Sequence, residues 1–190
     1  QMSTDGTEPA ATLLATAVAA KDYPDEYYKK GILTVLSPFK QSTADPVYGN
    51  KTLNYYSRML ALRSAAQKGA AEAIWFTPEG HLAEGCITNV FLVKDSVVYT
   101  PALATPVLPG IARKTVLELA EKASIKLEEK DISIDECLEA DEMFITNVIM
   151  KVMPVAAMEK HVFGEGGPGE ITGRISKLYD EFLENEYPVE

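Results

Sequence analysis

The chain has 190 residues, 46% of them hydrophobic, and its 28 acidic against 18 basic residues give a formal net charge of −10 at pH 7. This charge argues against nucleic acid or an anionic membrane surface as a partner, because both bind basic protein surfaces. No apolar run reaches the roughly 18 residues of a membrane-spanning helix. Two cysteines (Cys86, Cys137) and two distant histidines (His81, His161) form no disulfide framework and no metal motif. We therefore expect a small-molecule enzyme of the reducing cytoplasm, without a metal.

Apolar periodicity, glycines and prolines divide the chain into strands and helices. Residues 11–20 are compatible with either a strand or a helix. In chain order, the other predicted elements are a helical turn at 25–30, a buried strand at 32–36, a loop at 39–50, a helix at 54–68, strands at 73–76 and 81–83, a hairpin of 90–93 and 97–100, a helix at 111–122, a half-exposed strand at 125–132, a short helix at 134–138, strands at 143–146 and 152–157, a turn at 163–169 and a helix at 170–185. Hairpins mixed with helices predict an α+β fold with a mixed or antiparallel sheet.

The helix at 54–68 is the first element with a clear apolar stripe, and Gly69 ends it at the expected position. Steps of four, three and four residues place four side chains on one face. The stripe expected to face the core is Tyr55, Met59, Leu62 and Ala66.

Two short segments stand out as candidate sites. Gly110 precedes the helix at 111–122, so the backbone N–H groups of Ile111 and Ala112 are free to bind an anion. Glu84 lies between two apolar strands, where a carboxylate is costly to bury unless it meets a cation. Taken alone, Glu84 is expected at the surface, at a strand end. The Gly-rich segment 164–169 lacks the Lys-Ser/Thr of a phosphate-binding loop and predicts a turn.

Five motifs occur in a fixed order along the chain. They are Lys51-Thr-Leu-Asn54, Glu84-Gly-Cys-Ile-Thr-Asn-Val-Phe91, Thr105-Pro-Val-Leu-Pro-Gly-Ile-Ala-Arg113, Ala140-Asp-Glu-Met-Phe-Ile-Thr-Asn147 and Met153-Pro-Val155. Together they resemble the class IV aminotransferase family, the fold-type IV pyridoxal-phosphate enzymes. That family includes branched-chain and D-amino-acid aminotransferases and 4-amino-4-deoxychorismate lyase. The resemblance implies the large C-terminal domain of that fold.

The resemblance also assigns roles to individual residues. Lys51 matches the lysine that carries pyridoxal 5'-phosphate covalently and then acts as the general base. Glu84 matches the carboxylate that keeps the pyridine nitrogen protonated, so that the ring withdraws electrons. Tyr55 matches the tyrosine on the ring's O3′ oxygen, with Tyr56 as the alternative if the loop is shifted by one residue.

The resemblance also implies which residues bind the phosphate and the substrate. Ile111 and Ala112 match the helix-start amides that bind the phosphate, and Thr146 and Asn147 complete the phosphate and substrate-carboxylate pocket. The implied substrate-binding residues are Ile87, Thr88, Asn147 and Val148.

Three residues depart from the family pattern. Ala112 lacks the hydroxyl that many members have there. Val148 stands where the family has a phosphate-binding threonine, so Thr146 or Asn147 has to compensate. Ile87 is bulkier than the Gly or Ser common at its position. The part of the pocket that receives the substrate is therefore expected to be narrower.

The resemblance implies an enzyme that moves an amino group between an amino acid and a 2-oxo acid, as a homodimer. Two alternatives stay open: a 4-amino-4-deoxychorismate lyase that releases pyruvate and 4-aminobenzoate, and a catalytically incomplete cofactor-binding fragment. Residues 31–190 are expected to form the cofactor-binding C-terminal domain. Residues 1–30 are expected to be a linker or the tail of a mostly missing N-terminal domain, which in the family supplies a phosphate-binding arginine.

Overall fold

A mixed β-sheet with helices packed on it forms the protein. The computed structural model describes residues 13–19 and 22–186. Its helices are α1 (Asp25–Lys30), α2 (Tyr56–Gln67), α3 (Ile111–Lys122), α4 (Ile134–Leu138) and α5 (Glu170–Glu186). Its strands are β1 (Ile32–Lys40), β2 (Glu72–Phe76), β3 (Leu82–Gly85), β4 (Asn89–Lys94), β5 (Val97–Pro101), β6 (Leu127–Lys130), β7 (Glu142–Asn147), β8 (Lys151–Met158) and β9 (His161–Val162).

All nine strands of the described part of the chain belong to one sheet. Its order is β3-β2-β1-β8-β7-β4-β5-β6, and β9 pairs with β8. The pairs β1–β2, β1–β8 and β5–β6 are parallel, and the other pairs are antiparallel. The register of β4 and β7 places Asn89, the first residue of β4, opposite Thr146 near the end of β7. Both residues therefore lie where these two central strands end. The predicted α+β class is confirmed.

Strands β2, β4, β7 and β8 are buried on both faces, which is why they read as nearly continuous apolar runs. On one face, α2 packs against β1, β2 and β3 around Trp75. Helices α3 and α5 pack over Phe91 and Phe144, whose rings stack with centroids 4.8 Å apart. On the opposite face, Ile74 and Ile145 belong to a third cluster, which α4 joins through Cys137.

Most predicted elements are present, with the bounds of α3 and α4 as predicted. The prediction for the buried face of α2 is wrong. Ala61 and Ala65 face the core, whereas Met59 is 56% exposed and Ala66 is also exposed. Small side chains allow α2 to approach the sheet closely beside Trp75, and of the predicted stripe Leu62 packs, partly buried, against this cluster.

Two further predicted elements differ from the structure or fall partly outside it. The strand predicted at 125–132 is shorter, because β6 covers only Leu127–Lys130. Residues 13–19 form neither helix nor strand, and the rest of the segment 11–20 lies outside the described residues. A domain division at residue 30 stays a prediction.

Among the described residues, no helix combines the length and apolarity that crossing a bilayer requires. No group of three or more His, Cys, Asp and Glu side chains in residues 13–19 and 22–186 is placed to hold a metal ion.

Gly31 joins α1 to β1 in a conformation that other residues rarely adopt, with φ +74° and ψ 159°. A Cβ atom there would lie 2.8 Å from the backbone nitrogen of Ala156 on β8. The close approach of two backbones therefore requires glycine.

We predict that Gly31→Ala lowers the free energy of unfolding by about 1–3 kcal/mol, because strain is added to a steric overlap. The measurement is urea unfolding followed by circular dichroism. Gly173→Ala is the matched control, because its Cβ would meet nothing within 4 Å. Gly173 is the fourth residue of α5, where alanine should raise stability by up to about 0.5–1 kcal/mol. Equal stability of Gly31→Ala and the native chain would contradict the argument.

Candidate active site

A cavity of about 340 Å³ opens where several chain segments meet at the ends of the strands. Strand β3 ends there, β4 begins and β7 ends, and the start of α3 closes one side. The loop before α2 closes another side with Asn50, Lys51 and Thr52. Residues far apart in sequence are thus brought together by strand pairing and by the packing of two helices.

All ten of the site residues predicted from the sequence line this cavity. They are Lys51, Tyr55, Glu84, Ile87, Thr88, Ile111, Ala112, Thr146, Asn147 and Val148. Their roles stay predictions, but their positions are compatible with one shared ligand. Arg58 and Asn89 also line the cavity, and neither was recognised from the sequence.

Lys51 lies beside Tyr55 in the loop before α2. Its Nζ donates a hydrogen bond of 3.2 Å to the Tyr55 hydroxyl and lies 5.7 Å from the centroid of that ring. Tyr56 does not line the cavity, and it is 75% exposed. Of the two alternatives, Tyr55 is therefore the tyrosine that lies next to the predicted cofactor lysine.

Glu84 is buried, with 2% of its surface exposed, so the expectation of a surface glutamate is wrong. Its Oε1 accepts hydrogen bonds from Arg58 Nη2 at 2.5 Å and from Gln41 Nε2 at 2.9 Å. Its Oε2 accepts one from the backbone nitrogen of Leu108 at 2.8 Å. The cation that a buried carboxylate requires is Arg58.

Both terminal nitrogens of the Arg58 guanidinium are hydrogen-bonded. Besides Glu84, it donates through Nη1 to the carbonyl oxygens of Gly85 at 3.0 Å and Cys86 at 2.9 Å. Its Cζ lies 5.5 Å and 5.7 Å from the ring centroids of Tyr48 and Trp75, within the range of cation–π attraction. No sequence pattern pairs Arg58 with Glu84, because 26 residues separate them.

The start of α3 is held by two side chains that act on Leu108. Asn89 Nδ2 donates to the Leu108 carbonyl at 2.8 Å, while Glu84 accepts from the Leu108 N–H. The N-cap Gly110 provides no side-chain hydrogen bond to the helix. The first amides, at Ile111 and Ala112, are thus left for another acceptor at the positive end of the helix dipole.

The end of β7 contributes a polar group with no partner. Thr146 Oγ1 is buried and has no hydrogen bond within the described residues. The Asn147 side chain is already engaged, because its Oδ1 accepts from the backbone nitrogens of Ile149 and Met150 at 2.9 Å and 2.7 Å. Of the two residues expected to compensate for Val148, Thr146 is therefore the one with a hydroxyl left for a ligand.

Two buried ionisable groups lie next to the cavity. Burial, reinforced by the charge of Glu72, raises the pKa of the Cys86 thiol to about 12, so this thiol is protonated at neutral pH and is no nucleophile. Trp75 Nε1 donates to its sulfur at 3.2 Å. Glu72 is fully buried, and burial raises the pKa of its carboxyl above the ordinary value. Glu72 was not recognised from the sequence.

The model of the family described as amino-transferase class IV matches residues 2–158. The chain belongs to the class IV aminotransferase family. This confirms the family predicted from the five ordered motifs.

The relatives of this class IV chain include enzymes with different substrates. A branched-chain-amino-acid aminotransferase of Pseudomonas aeruginosa is 41% identical over 129 residues, which are 68% of this chain and 42% of the relative. A D-alanine aminotransferase of Bacillus licheniformis is 37% identical over 136 residues, which are 72% of this chain and 48% of the relative. The chain thus spans less than half the length of these two relatives.

A solved structure has the same fold. The PLP form of the branched-chain amino acid aminotransferase from Thermobaculum terrenum superposes with a TM-score of 0.78 at 28% identity, and covers 86% of this chain and 54% of that one.

The space beside Gly110 gives a prediction for the start of α3. Gly110 has an ordinary extended conformation, but its Cβ would lie 2.1 Å from Asn89 Oδ1. Gly110→Ala should therefore displace the Asn89 side chain from Leu108 and raise the dissociation constant for pyridoxal phosphate about tenfold, the equivalent of one hydrogen bond. The measurement is an absorbance titration with pyridoxal phosphate.

The control is the double variant Asn89→Ala/Gly110→Ala. If Gly110→Ala acts through Asn89, it should hardly change the dissociation constant of a protein that already carries Asn89→Ala. The reason is that both substitutions remove the same interaction. Fully additive effects would contradict this explanation.

Proposed function

We propose that this chain is the cofactor-bearing part of a pyridoxal-phosphate-dependent aminotransferase. It would move an amino group between an amino acid with an apolar side chain and a 2-oxo acid. The proposal includes a homodimer, as the family resemblance implies, and a location in the cytoplasm, where Cys86 and Cys137 would stay reduced as free thiols.

The observation that carries the proposal is the set of groups around one cavity. An amine at Lys51, a buried carboxylate at Glu84, the free amides at the start of α3 and the unpaired hydroxyl of Thr146 all line it. These groups fit the parts of pyridoxal phosphate, an aldehyde, a basic ring nitrogen and a phosphate. The T. terrenum structure is the PLP form of that enzyme, which supports the same cofactor here.

Pyridoxal phosphate, when bound, supplies an aldehyde that accepts an amino group and a ring that withdraws electrons. Lys51 would hold the cofactor covalently and afterwards take a proton from the Cα atom of the substrate. It is suited to this because Lys51 is the lysine that lines the described cavity. Tyr55 would keep the amine in place through their 3.2 Å hydrogen bond.

Glu84 would hold a proton on the ring nitrogen of the cofactor. Arg58 is the counter-ion of this carboxylate: its nearly buried guanidinium lies 2.5 Å from Glu84 Oε1 through Nη2. In the described residues, Oε2 has a single partner, the Leu108 N–H, so this oxygen can accept a further hydrogen bond.

The residues expected to contact the substrate favour an amino acid with an apolar side chain. Ile87 and Val148 present apolar surface to the cavity. The cations that line its described part are Lys51 and Arg58, and Arg58 is committed to Glu84, Gly85 and Cys86. A second substrate carboxylate would therefore have no free cation among the described residues that line the cavity. The names of the relatives reported above favour an aminotransferase over a lyase.

We predict that borohydride reduction of the protein incubated with pyridoxal phosphate attaches the pyridoxyl group to Lys51. Peptide mapping by mass spectrometry identifies the modified lysine. Lys51→Ala should abolish both this adduct and the visible absorption band of the bound cofactor. The control is Lys114→Ala, which removes an exposed lysine of α3 and should leave both unchanged. A pyridoxyl group on any other lysine would overturn the assignment.

We predict that Glu84→Gln leaves the pyridoxyl adduct at Lys51 but lowers the rate of amino transfer. Glutamine has no negative charge to hold the proton on the ring nitrogen, and the loss of one such electrostatic contact in the transition state lowers a rate by about 100-fold. The rate is read from the absorbance change that follows addition of an amino acid. Glu129→Gln is the control, because it breaks the Arg113–Glu129 pair, and Glu129 lies outside the cavity. A rate for Glu84→Gln within twofold of the native chain is incompatible with this role.

A donor screen separates the proposed function from its alternatives. L- and D-leucine, alanine, glutamate and 4-amino-4-deoxychorismate are each added to the protein loaded with pyridoxal phosphate. Formation of a 2-oxo acid from leucine supports the proposal, and the two enantiomers give its chirality. Release of pyruvate and 4-aminobenzoate would identify the lyase instead. Cofactor binding without a response to any donor would identify a catalytically incomplete fragment.

A further inference from the structure

The loop between β3 and β4, residues 85–88, forms one wall of the cavity and presents Ile87 and Thr88 to it. Gly85 and Thr88 close it with a backbone hydrogen bond of 2.8 Å. A Cβ on Gly85 would lie 2.1 Å from Thr88 Oγ1 and 2.9 Å from Glu72 Oε2. The loop is therefore packed tightly against the Glu72 carboxylate behind it.

Glu72 accepts four hydrogen bonds in this place. Its Oε1 accepts from the backbone nitrogens of Ala73 at 2.9 Å and Cys86 at 3.1 Å. Its Oε2 accepts from the backbone nitrogen of Ile87 at 3.3 Å and from Thr88 Oγ1 at 3.0 Å. Backbone N–H groups can only donate, so three of these four contacts require the Glu72 oxygens as acceptors. No cationic side chain of the described residues forms an ion pair with Glu72.

The same peptide units contact a cation on their other side. The peptide between Gly85 and Cys86 donates its N–H to Glu72, and its carbonyl accepts from Arg58. The next peptide, between Cys86 and Ile87, does the same. Two successive peptide dipoles therefore lie between the Glu72 carboxylate and the Arg58 guanidinium, with the favourable sign at both ends.

We propose that Glu72 is a positioning residue of the active site. With Arg58, it fixes the orientation of the 85–88 loop, and through this loop it places Ile87 against the amino-acid substrate. Glu72 touches neither cofactor nor substrate; it acts through the backbone of the loop. The substrate part of this inference rests on the proposed function, whereas the fixing of the loop stands on the contacts of Glu72 alone.

The test compares Glu72→Gln with Glu142→Gln in the full chain. Glutamine has the shape of glutamate, but its NH₂ group replaces one accepting oxygen, so at least one N–H of the loop loses its acceptor. Glu142 makes the same kind of contact elsewhere. Its two oxygens accept from the backbone nitrogens of Ile171 and Thr172, at the start of α5 and away from the cavity.

The first measurement is amide hydrogen exchange, which requires no activity. In Glu72→Gln, the amides of Cys86 and Ile87 should exchange about tenfold faster or more. In Glu142→Gln, faster exchange should be confined to residues 171–172. Unchanged exchange at Cys86 and Ile87 in a folded Glu72→Gln would overturn the proposal.

The second measurement is the dissociation constant of an amino acid, read from the absorbance of the protein loaded with pyridoxal phosphate. Glu72→Gln should raise this constant about tenfold and leave that of pyridoxal phosphate within twofold. A purely structural role would instead change both together or neither. Glu142→Gln should change neither constant. An unchanged constant for the amino acid overturns the substrate part of the proposal.

The design separates failure of this inference from failure of the proposed function. A native chain that binds pyridoxal phosphate but responds to no amino acid overturns the function, and hydrogen exchange alone then decides whether Glu72 fixes the loop. If Glu72→Gln does not fold, Arg58→Lys tests the same peptide units from their other end. Lysine keeps the charge but has a single nitrogen, so the Cys86 and Ile87 amides should again exchange faster; unchanged exchange would overturn the proposal.

Discussion

The buried ion pair between Glu84 and Arg58 is the interaction on which the rest of the site depends. A carboxylate with 2% exposure is stable as an anion only beside a cation, and Arg58 meets this need from a helix distant in sequence. Arg58 cannot be moved without leaving Glu84 unpaired, and it also binds two carbonyls of the 85–88 loop. One requirement of charge balance thus ties α2, β3 and the loop together.

The same carboxylate determines where α3 begins. Because Glu84 accepts from the Leu108 N–H and Asn89 donates to the Leu108 carbonyl, the peptide chain enters α3 along a fixed path. The free amides of Ile111 and Ala112 then face the cavity. The group proposed to hold the ring nitrogen and the group proposed to hold the phosphate are therefore spaced by direct hydrogen bonds, not by loop length alone.

Hydrogen bonds connect acidic groups, peptide units and a guanidinium in one series next to the cavity. Their order in space is Glu72, the two peptide units of the 85–88 loop, Arg58 and Glu84. Each group satisfies its neighbour, so four strongly polar elements are buried at the edge of an apolar sheet. Glu72 is fully buried, and burial raises the pKa of its carboxyl. Its four hydrogen bonds, three of them to the 85–88 loop, make the loop rigid.

The sequence by itself determined the family, most of the helices and strands, and ten residues that prove to line one cavity, because these depend on local periodicity and on motifs in a fixed order. The apolar stripe predicted the wrong buried face for α2, where alanines face the sheet because close packing requires small side chains. Only the tertiary structure revealed Arg58, Glu72 and Asn89 as parts of the site. Their partners lie 26, 14 to 16 and 19 residues away, and strand pairing and helix packing, which no local pattern encodes, bring them together.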